Sequence, residues 1–304
     1  GRCTENATEA VMPEEADAVV MVEDTEYEGD CINIYKPVYP GENISRQGGD
    51  ISPGNRVLRA GDFLNPSKIG ALAALGLPRI RVFKKPHALI IPTGDEIAEL
   101  GQELKKGQIY NVNSYTLGAV IEEHGGRACL NPVVCDQQEA MEETIRKNLS
   151  FHLIIFTGGS SVGARDVIVD VVEGIGEVFF HGIAVKPGKP TLFGKVEDAL
   201  ILGMPGYPAS CLSNGYMILL PILRRMAHLP PVIERKVKVT LERRLTSTIG
   251  RHQFYTVRLL EGKAHPAFKE SGSITSMSDA DGYIEIPAHV DLMEKGEEVE
   301  VTLL

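Results

Sequence analysis

The sequence predicts an α/β protein with a central parallel sheet, preceded by a β-rich segment and followed by a small β-barrel-like domain. Three observations predict it. Between residues 86 and 231, apolar runs such as "HALIIP" and "FHLIIF" alternate with stretches of helical length, the signature of strands covered on both faces. Beyond the proline-marked "LPPVIERK" the helices stop and only short strands follow. Before residue 55 the chain is rich in turn formers, with "YPGENISRQGGDISPGN" as its longest loop.

Each element has its own local reason. In the first segment, residues 1–54, "ADAVVMVE" and "INIYK" are β-rich enough to be strands. A connecting part, residues 55–85, holds the helix "NPSKIGALAALGLP", which starts at Asn65-Pro66 and stops at Gly76 and Pro78. The α/β domain, residues 86–231, opens with the strand "HALIIP" and a loop. "NSYTLGAVIEEHGG" is a helix capped by Asn113 and stopped at Gly125-Gly126. The strand "RACLNPVV" leads into "DQQEAMEETIRKNL", a helix with Asp136 and Glu139 as its capping pair. "FHLIIF", the helix "DVIVDVVEGIG", the strands "TLFGKV" and "ALILGM", and the long helix "PASCLSNGYMILLPILRRMAHL" complete the domain. In residues 232–304, "KVKVTLE", "RHQFYTVRLL", "GYIEIP" and "EEVEVTLL" are strands of the terminal β domain.

Bulk properties exclude several function classes. At 304 residues, with 43% hydrophobic and 24% charged residues, the composition is that of a globular protein of more than one domain. No apolar run approaches the roughly 18 residues of a membrane span. A net charge of −10 argues against nucleic acid as the main partner. The first residues have neither a basic nor an apolar signal region and no initiator methionine, which reads as an N-terminally incomplete cytoplasmic protein. Five scattered cysteines with no CxxC pair fit reduced thiols, and Cys129 and Cys135, which bracket a strand, are expected to pack in the core.

Four loops carry the chemistry, because ligands of open α/β sheets sit beyond the carboxyl ends of the strands. "TGGSSVGARD" offers the glycine backbone of Gly158, Gly159 and Gly163 and the hydroxyls of Ser160 and Ser161 to an anion; the alternative is a tight turn with Asp166 as helix cap. "VKPGKP" holds Lys186 and Lys189 on either side of a Pro-Gly turn, ahead of Pro190. "PGYPAS" sets Pro205, Gly206 and Pro208 at the start of a helix with free N–H groups. In "PTGDE", Thr93 and Glu96 have capping-box spacing, yet no helical run begins before Asn113. Its Asp95 and Glu96, after Thr93 and Gly94, are instead candidate oxygen ligands for a divalent cation. Together the loops suit a phosphorylated, metal-assisted substrate.

In their spacing, "PTGDE", "TGGSSVGARD", "VKPGKP" and "MPGYPAS" resemble the MoeA family of molybdopterin molybdenumtransferases, to which the E domain of gephyrin belongs. The upstream "ATEAVMPEEADAVVMVED" and "ENISRQGGDISPG" resemble further segments of that family. The resemblance implies a transferase of molybdenum cofactor biosynthesis that converts adenylylated molybdopterin and molybdate to molybdenum cofactor, releasing AMP with magnesium (Mg2+) assisting. It implies a homodimer as well, with a MogA-like adenylyltransferase as a further partner. Carried over residue by residue, Thr8, Asp50, Glu96 and Asp166 match polar and acidic site positions, with Glu96 and Asp166 the magnesium ligands. Lys186, Lys189 and Pro190 match the oxyanion-binding turn, and Pro205, Gly206 and Pro208 the second turn. Arg251 and either Ser271 or Ser273 match oxyanion contacts in the tail. There are departures: the family's Ala-Met-Asp-Gly-Tyr-Ala motif is missing, its Thr-Gly-Ala reads Thr8-Glu9-Ala10, and Tyr207 stands where many relatives carry asparagine. Two other readings stay open: a MogA-like molybdopterin adenylyltransferase, and a non-catalytic scaffold on the same fold.

Overall fold

A computed structural model of the chain describes residues 2–158 and 167–304. It divides into two compact units, Gly1–Pro78 and Arg79–Leu304.

The first unit holds a hairpin, β1 (Thr25–Glu28) with β2 (Cys31–Ile34), and helix α1 (Pro66–Ala74). The α1 start forms as its sequence predicts: the Asn65 side chain accepts a hydrogen bond from the Lys68 N–H at 2.9 Å, with proline next in line. "ADAVVMVE" is not a strand. The Val19 N–H and C=O are engaged by Glu42 and Asn43, so the segment has no ladder to join. None of the described side chains of this unit is buried.

The second unit begins with β3 (His87–Pro92), followed by the short pair β4 (Ile97–Ala98) and β5 (Ile109–Tyr110). Then come α2 (Asn113–Glu123), β6 (Arg127–Leu130), α3 (Gln138–Lys147), β7 (Leu153–Thr157) and α4 (Val167–Ile175). Strands β8 (Glu177–His181), β9 (Val185–Lys186), β10 (Leu192–Val196) and β11 (Ala199–Met204) precede α5 (Pro208–Asn214), which runs through a π turn at Gly215–Leu219 into α6 (Leu220–Met226). The central sheet has the order β6-β3-β7-β11-β10-β8. Strands β6, β3, β7 and β11 are parallel, whereas β10 runs antiparallel to both neighbours. The reason is local: only Glu197 and Asp198 separate β10 from β11, and Glu197 adopts a left-handed φ of 52°. Two residues make a hairpin and cannot make a crossover.

The buried strands show period two on both faces. Leu89, Ile91, Ile154 and Phe156 pack with α3 and α4 residues such as Met141 and Val171, while Ala88, Ile90, Leu153 and Ile155 pack with Leu117 of α2 and Leu223 of α6. The remaining elements are β12 (Lys236–Leu241), β13 (Leu245–Thr246), β14 (His252–Leu260), β15 (Lys263–Pro266), α7 (Thr275–Ser278), β16 (Gly282–Ile286), β17 (Leu292–Met293) and β18 (Glu298–Leu303). Strands β12-β18-β16-β14-β15 close into a barrel because β15 pairs with both β14 and β12. The short β9 adds to β14, so a strand from the α/β part extends the barrel sheet.

Two capping assignments change. The carboxamide oxygen of Asn111, not that of Asn113, accepts from the Ser114 N–H at the start of α2. Helix α3 begins one residue after Gln137 with no side-chain cap, so Asp136 and Glu139 do not form a capping box. Cys129 and Cys135 are exposed rather than buried, since β6 is a sheet edge; Cys211 on α5 is the buried thiol.

Candidate active site

The register of the sheet assembles the site. Pro92, Thr157 and Met204 end β3, β7 and β11 in one row, so the loops starting at Thr93, Gly158 and Pro205 leave the sheet side by side. Backbone bonds tie them: the Thr93 N–H donates to the Thr157 carbonyl at 3.1 Å, and the Gly158 N–H to the Met204 carbonyl at 3.3 Å. Gly158 has a φ of 105°, and a Cβ there would collide with the Thr93 carbonyl. Glycine is therefore required for the loops to lie this close.

The lysine turn reaches the same edge because β10 is antiparallel. Leu192, at the start of β10, pairs with Gly203, at the end of β11. Had β10 been parallel, as the alternation of elements predicts, its leading loop would lie at the opposite edge. The turn is then locked from two sides. Fully buried Asn214 of α5 donates to the Gly188 carbonyl at 2.9 Å and to the Thr191 hydroxyl at 2.7 Å. Lys186, half-buried, donates from Nζ to the Thr248 hydroxyl at 2.8 Å. Lys189 is exposed.

These loops enclose a cleft of about 830 Å³, within the range of small-molecule sites. Its wall includes Thr93, Glu96, Gly158, Lys186, Lys189, Pro190, Pro205, Gly206, Pro208, Arg251 and Ser271. The structure thus brings together eleven residues singled out from the sequence. The lining carries three basic residues, Lys186, Lys189 and Arg251, and two acidic ones, Glu96 and Glu270. Ser271 lines the cleft, and its carbonyl accepts the Ala209 N–H at 3.0 Å, fixing the barrel loop to the start of α5. Ser273 does not line the cleft.

"PTGDE" is not a helix cap. Strand β4 follows it, and the buried Thr93 hydroxyl has no hydrogen-bond partner among the described residues. Gly94 takes a φ of 129°, and the Glu96 carboxylate folds back over it, 2.7 Å from where a Cβ would stand. Asp95 is exposed beside the cleft and does not line it. Asp136, first read as a cap, lies near this pair: partial burial, then the charges of Glu96 and Asp95, raise its carboxyl above the usual range. Gly159, Ser160, Ser161, Gly163 and Asp166 lie outside the described residues. Thr8 and Asp50 belong to the first unit: Thr8 in the exposed Ala7–Ala10 turn, Asp50 exposed after the Arg46–Gly49 turn.

Sequence reasoning missed other residues of the wall. Asn113 reaches the Gly206 carbonyl at 2.8 Å, joining α2 to the second proline-glycine turn. Phe268, Glu270, Tyr110 and Tyr207 also line the cleft. Only Tyr207 had a signal, its place inside the "PGYP" turn.

Comparison with known proteins matches three family models in order: "MoeA N-terminal region (domain I and II)" over residues 1–76, "Probable molybdopterin binding domain" over 89–225, and "MoeA C-terminal region (domain IV)" over 238–304. A molybdopterin biosynthesis protein of Methanocaldococcus jannaschii is 36% identical over 96% of this chain and 74% of its own length. The chain belongs to the MoeA family. A molybdopterin molybdenumtransferase of Nostoc is 30% identical, with 72% of its length covered, and one of Haemophilus influenzae is 36% identical, with 55% covered. A crystal structure of a molybdopterin biosynthesis MoeA protein from Pyrococcus horikoshii superposes with a TM-score of 0.77 at 39% identity, covering 96% of this chain and 73% of that one. The MoeA fold therefore extends over the cleft and the barrel alike.

Proposed function

We propose that this MoeA chain inserts molybdate into adenylylated molybdopterin and releases AMP. The observation that carries the reading is the meeting, in one cleft, of the Gly158 turn, the Lys186–Lys189 turn, the Pro205-Gly206 turn and Glu96. A substrate with phosphates and an oxyanion needs this combination of backbone donors, cations and a carboxylate.

Each group has a role. The glycine loop from Gly158 through Gly163 binds the pterin-side phosphate through backbone N–H groups. Lys186, Lys189 and Arg251 hold molybdate as a tetrahedral dianion beside the dithiolene, with Ser271 and Pro190 shaping that end. Thr93, Gly94 and Asp95 set the Glu96 carboxylate at the rim, and Pro205, Gly206 and Pro208 form the facing wall. No covalent nucleophile is needed: the barrier falls through positioning and charge complementarity.

Magnesium fits the residues present in kind. The acidic groups Glu96 and Asp95 are hard oxygen donors, and Asp136 near them is raised first by burial and then by their charges, which a bound cation would offset. Glu96 and Asp166 would hold it, and bound there it supplies charge against the breaking phosphoanhydride.

A homodimer completes the reading, with Thr8 and Asp50 serving the site of a partner copy. The exposed Tyr27, Tyr35 and Tyr39 of the first unit support it, as apolar surface without a cover. The adenylylated substrate comes from a MogA-like adenylyltransferase, and the reaction is cytoplasmic. Among the described residues no helix is long and apolar enough to cross a membrane. The adenylyltransferase reading of this chain itself fits less well, because MoeA regions flank the molybdopterin-binding domain on both sides.

The test is incubation with adenylylated molybdopterin, magnesium and molybdate, following AMP. Molybdate-dependent AMP release is expected. Consumption of ATP with metal-free molybdopterin, and no AMP release, would move the chain to the adenylyltransferase class.

A further inference from the structure

The two lysines of the cleft are not equivalent. Lys189 is exposed, and no hydrogen bond of its ammonium to a described residue is present. Lys186 is half-buried and spans from the α/β part to the barrel, where its Nζ donates to the Thr248 hydroxyl at 2.8 Å. Thr248 itself does not line the cleft, so whatever it does to a ligand it does through Lys186.

The surroundings make this contact rigid at both ends. On the lysine side, β9 pairs in parallel with His252 and Gln253, and the His252 N–H donates to the Ala184 carbonyl at 2.8 Å. On the threonine side, Ser247 donates to the Gln253 side chain at 2.9 Å and the Arg251 N–H to the Thr248 carbonyl at 3.3 Å. Arg251, three residues on, returns to the cleft. One short barrel loop therefore presents one cation directly and orients another. A flexible lysine loses rotamer freedom when it grips an anion; a lysine already held by a hydroxyl has lost part of it before the anion arrives.

We propose that Thr248 is a positioning residue for the oxyanion subsite: it fixes the Lys186 ammonium toward a tetrahedral dianion, while Lys189 remains the adaptable second cation. The inference rests on the reading of this cleft as the molybdate site. It adds to that reading a residue from the barrel and a division of labour between the lysines.

The test is calorimetric titration of the intact protein with molybdate, for wild type, Thr248→Val, Thr248→Ser, Lys186→Ala and the Lys186→Ala/Thr248→Val pair. Thr248→Val should weaken molybdate binding by roughly threefold to tenfold, a part of what a charge-assisted hydrogen bond is worth. Thr248→Ser, which keeps the hydroxyl, should restore it. In the Lys186→Ala background Thr248→Val should do nothing more, because the two act as one unit. Thermal unfolding of the variants checks that a loss of binding is not a loss of fold, and the serine variant keeps the question decidable should valine unfold the loop. If Lys186→Ala weakens binding but Thr248→Val does not, or if the two effects add, the positioning role is overturned and the molybdate reading survives. If Lys186→Ala leaves binding unchanged, both fall together.

Discussion

At Glu9 the chain carries a side chain where the backbone asks for none. The Ala10 N–H closes a turn on the Ala7 carbonyl at 3.1 Å, and Glu9, at its third position, has a φ of 66°. A left-handed non-glycine residue costs about 1–2 kcal/mol, of which glycine returns about 0.4–1 through its freer unfolded chain. Glu9→Gly should therefore stabilise this turn by up to about 1.6 kcal/mol. Slower proteolysis of the first unit in that variant, with Glu9→Ala unchanged, is the expected result. Tyr207 stands inside the second proline-glycine turn. Its side chain is 66% exposed on the cleft wall, resting along Gly272, with no aromatic partner among the described residues. The chain has no tryptophan, so Tyr207→Trp places a single indole there, excited apart from the tyrosines at long wavelength. AMP should quench its emission and ribose 5-phosphate should not, because a purine stacks on an indole and a sugar does not. Unchanged emission when dialysis shows AMP bound would place the ring elsewhere in the cleft.

At the scale of elements, the loops after β3 and β6 bring Asp95, Glu96 and Asp136 near one another. Asp136 is raised from its ordinary value of 3.8, first by burial and then by Glu96 and Asp95. A carboxyl raised on folding binds its proton more readily in the native state than in the unfolded one. Stability contributed by this group is thus greatest in acid and falls as pH rises from its unfolded pKa through its folded one. Asp136→Asn removes that loss. Urea unfolding should find the variant more stable than wild type near pH 7, with the gap closing as pH approaches 4. An equal gap at both pH values would mean that Asp136 does not feel its neighbours. The same loops show what patterning reads well. Every strand of the central sheet except β8 and every helix packed on it was legible, because burial on two faces imposes apolar runs and helices impose their own period. The caps were not: Asn111 and Asn113 are the same residue type two apart, and only the fold shows which one caps α2 and which one reaches Gly206.

For the whole molecule, the two units differ in how they are held. The second has four buried apolar clusters, whereas no described side chain of the first is buried. Backbone without a core opens cheaply. Limited proteolysis should therefore remove residues 1–78 first and leave Arg79–Leu304 as a resistant fragment; resistance of the first unit in a protein shown to be monomeric would count against this. If the first unit serves a partner copy, its protection should rise with protein concentration, and molybdate-dependent AMP release should rise with it. Full AMP release from a protein sedimenting as a monomer would end the shared-site reading.

The sequence by itself determined the main elements of the central sheet, the glycine and proline turns, and through them the family, because these follow from local propensity and from spacing along the chain. It also named nine residues of the cleft wall in its four loops, since turns that must approach a ligand closely need glycine, proline or a charge at set places. Two more, Arg251 and Ser271, came through the family resemblance. What only the tertiary structure decided is how the turns meet. The reversal of β10 brings the lysine turn to the ligand edge, the barrel supplies Arg251 and Thr248, and Asn214 and Asn113 fasten two turns from helices far along the chain. Such contacts join residues 26 to 93 positions apart, and no local pattern encodes which asparagine or threonine will find its partner across that distance.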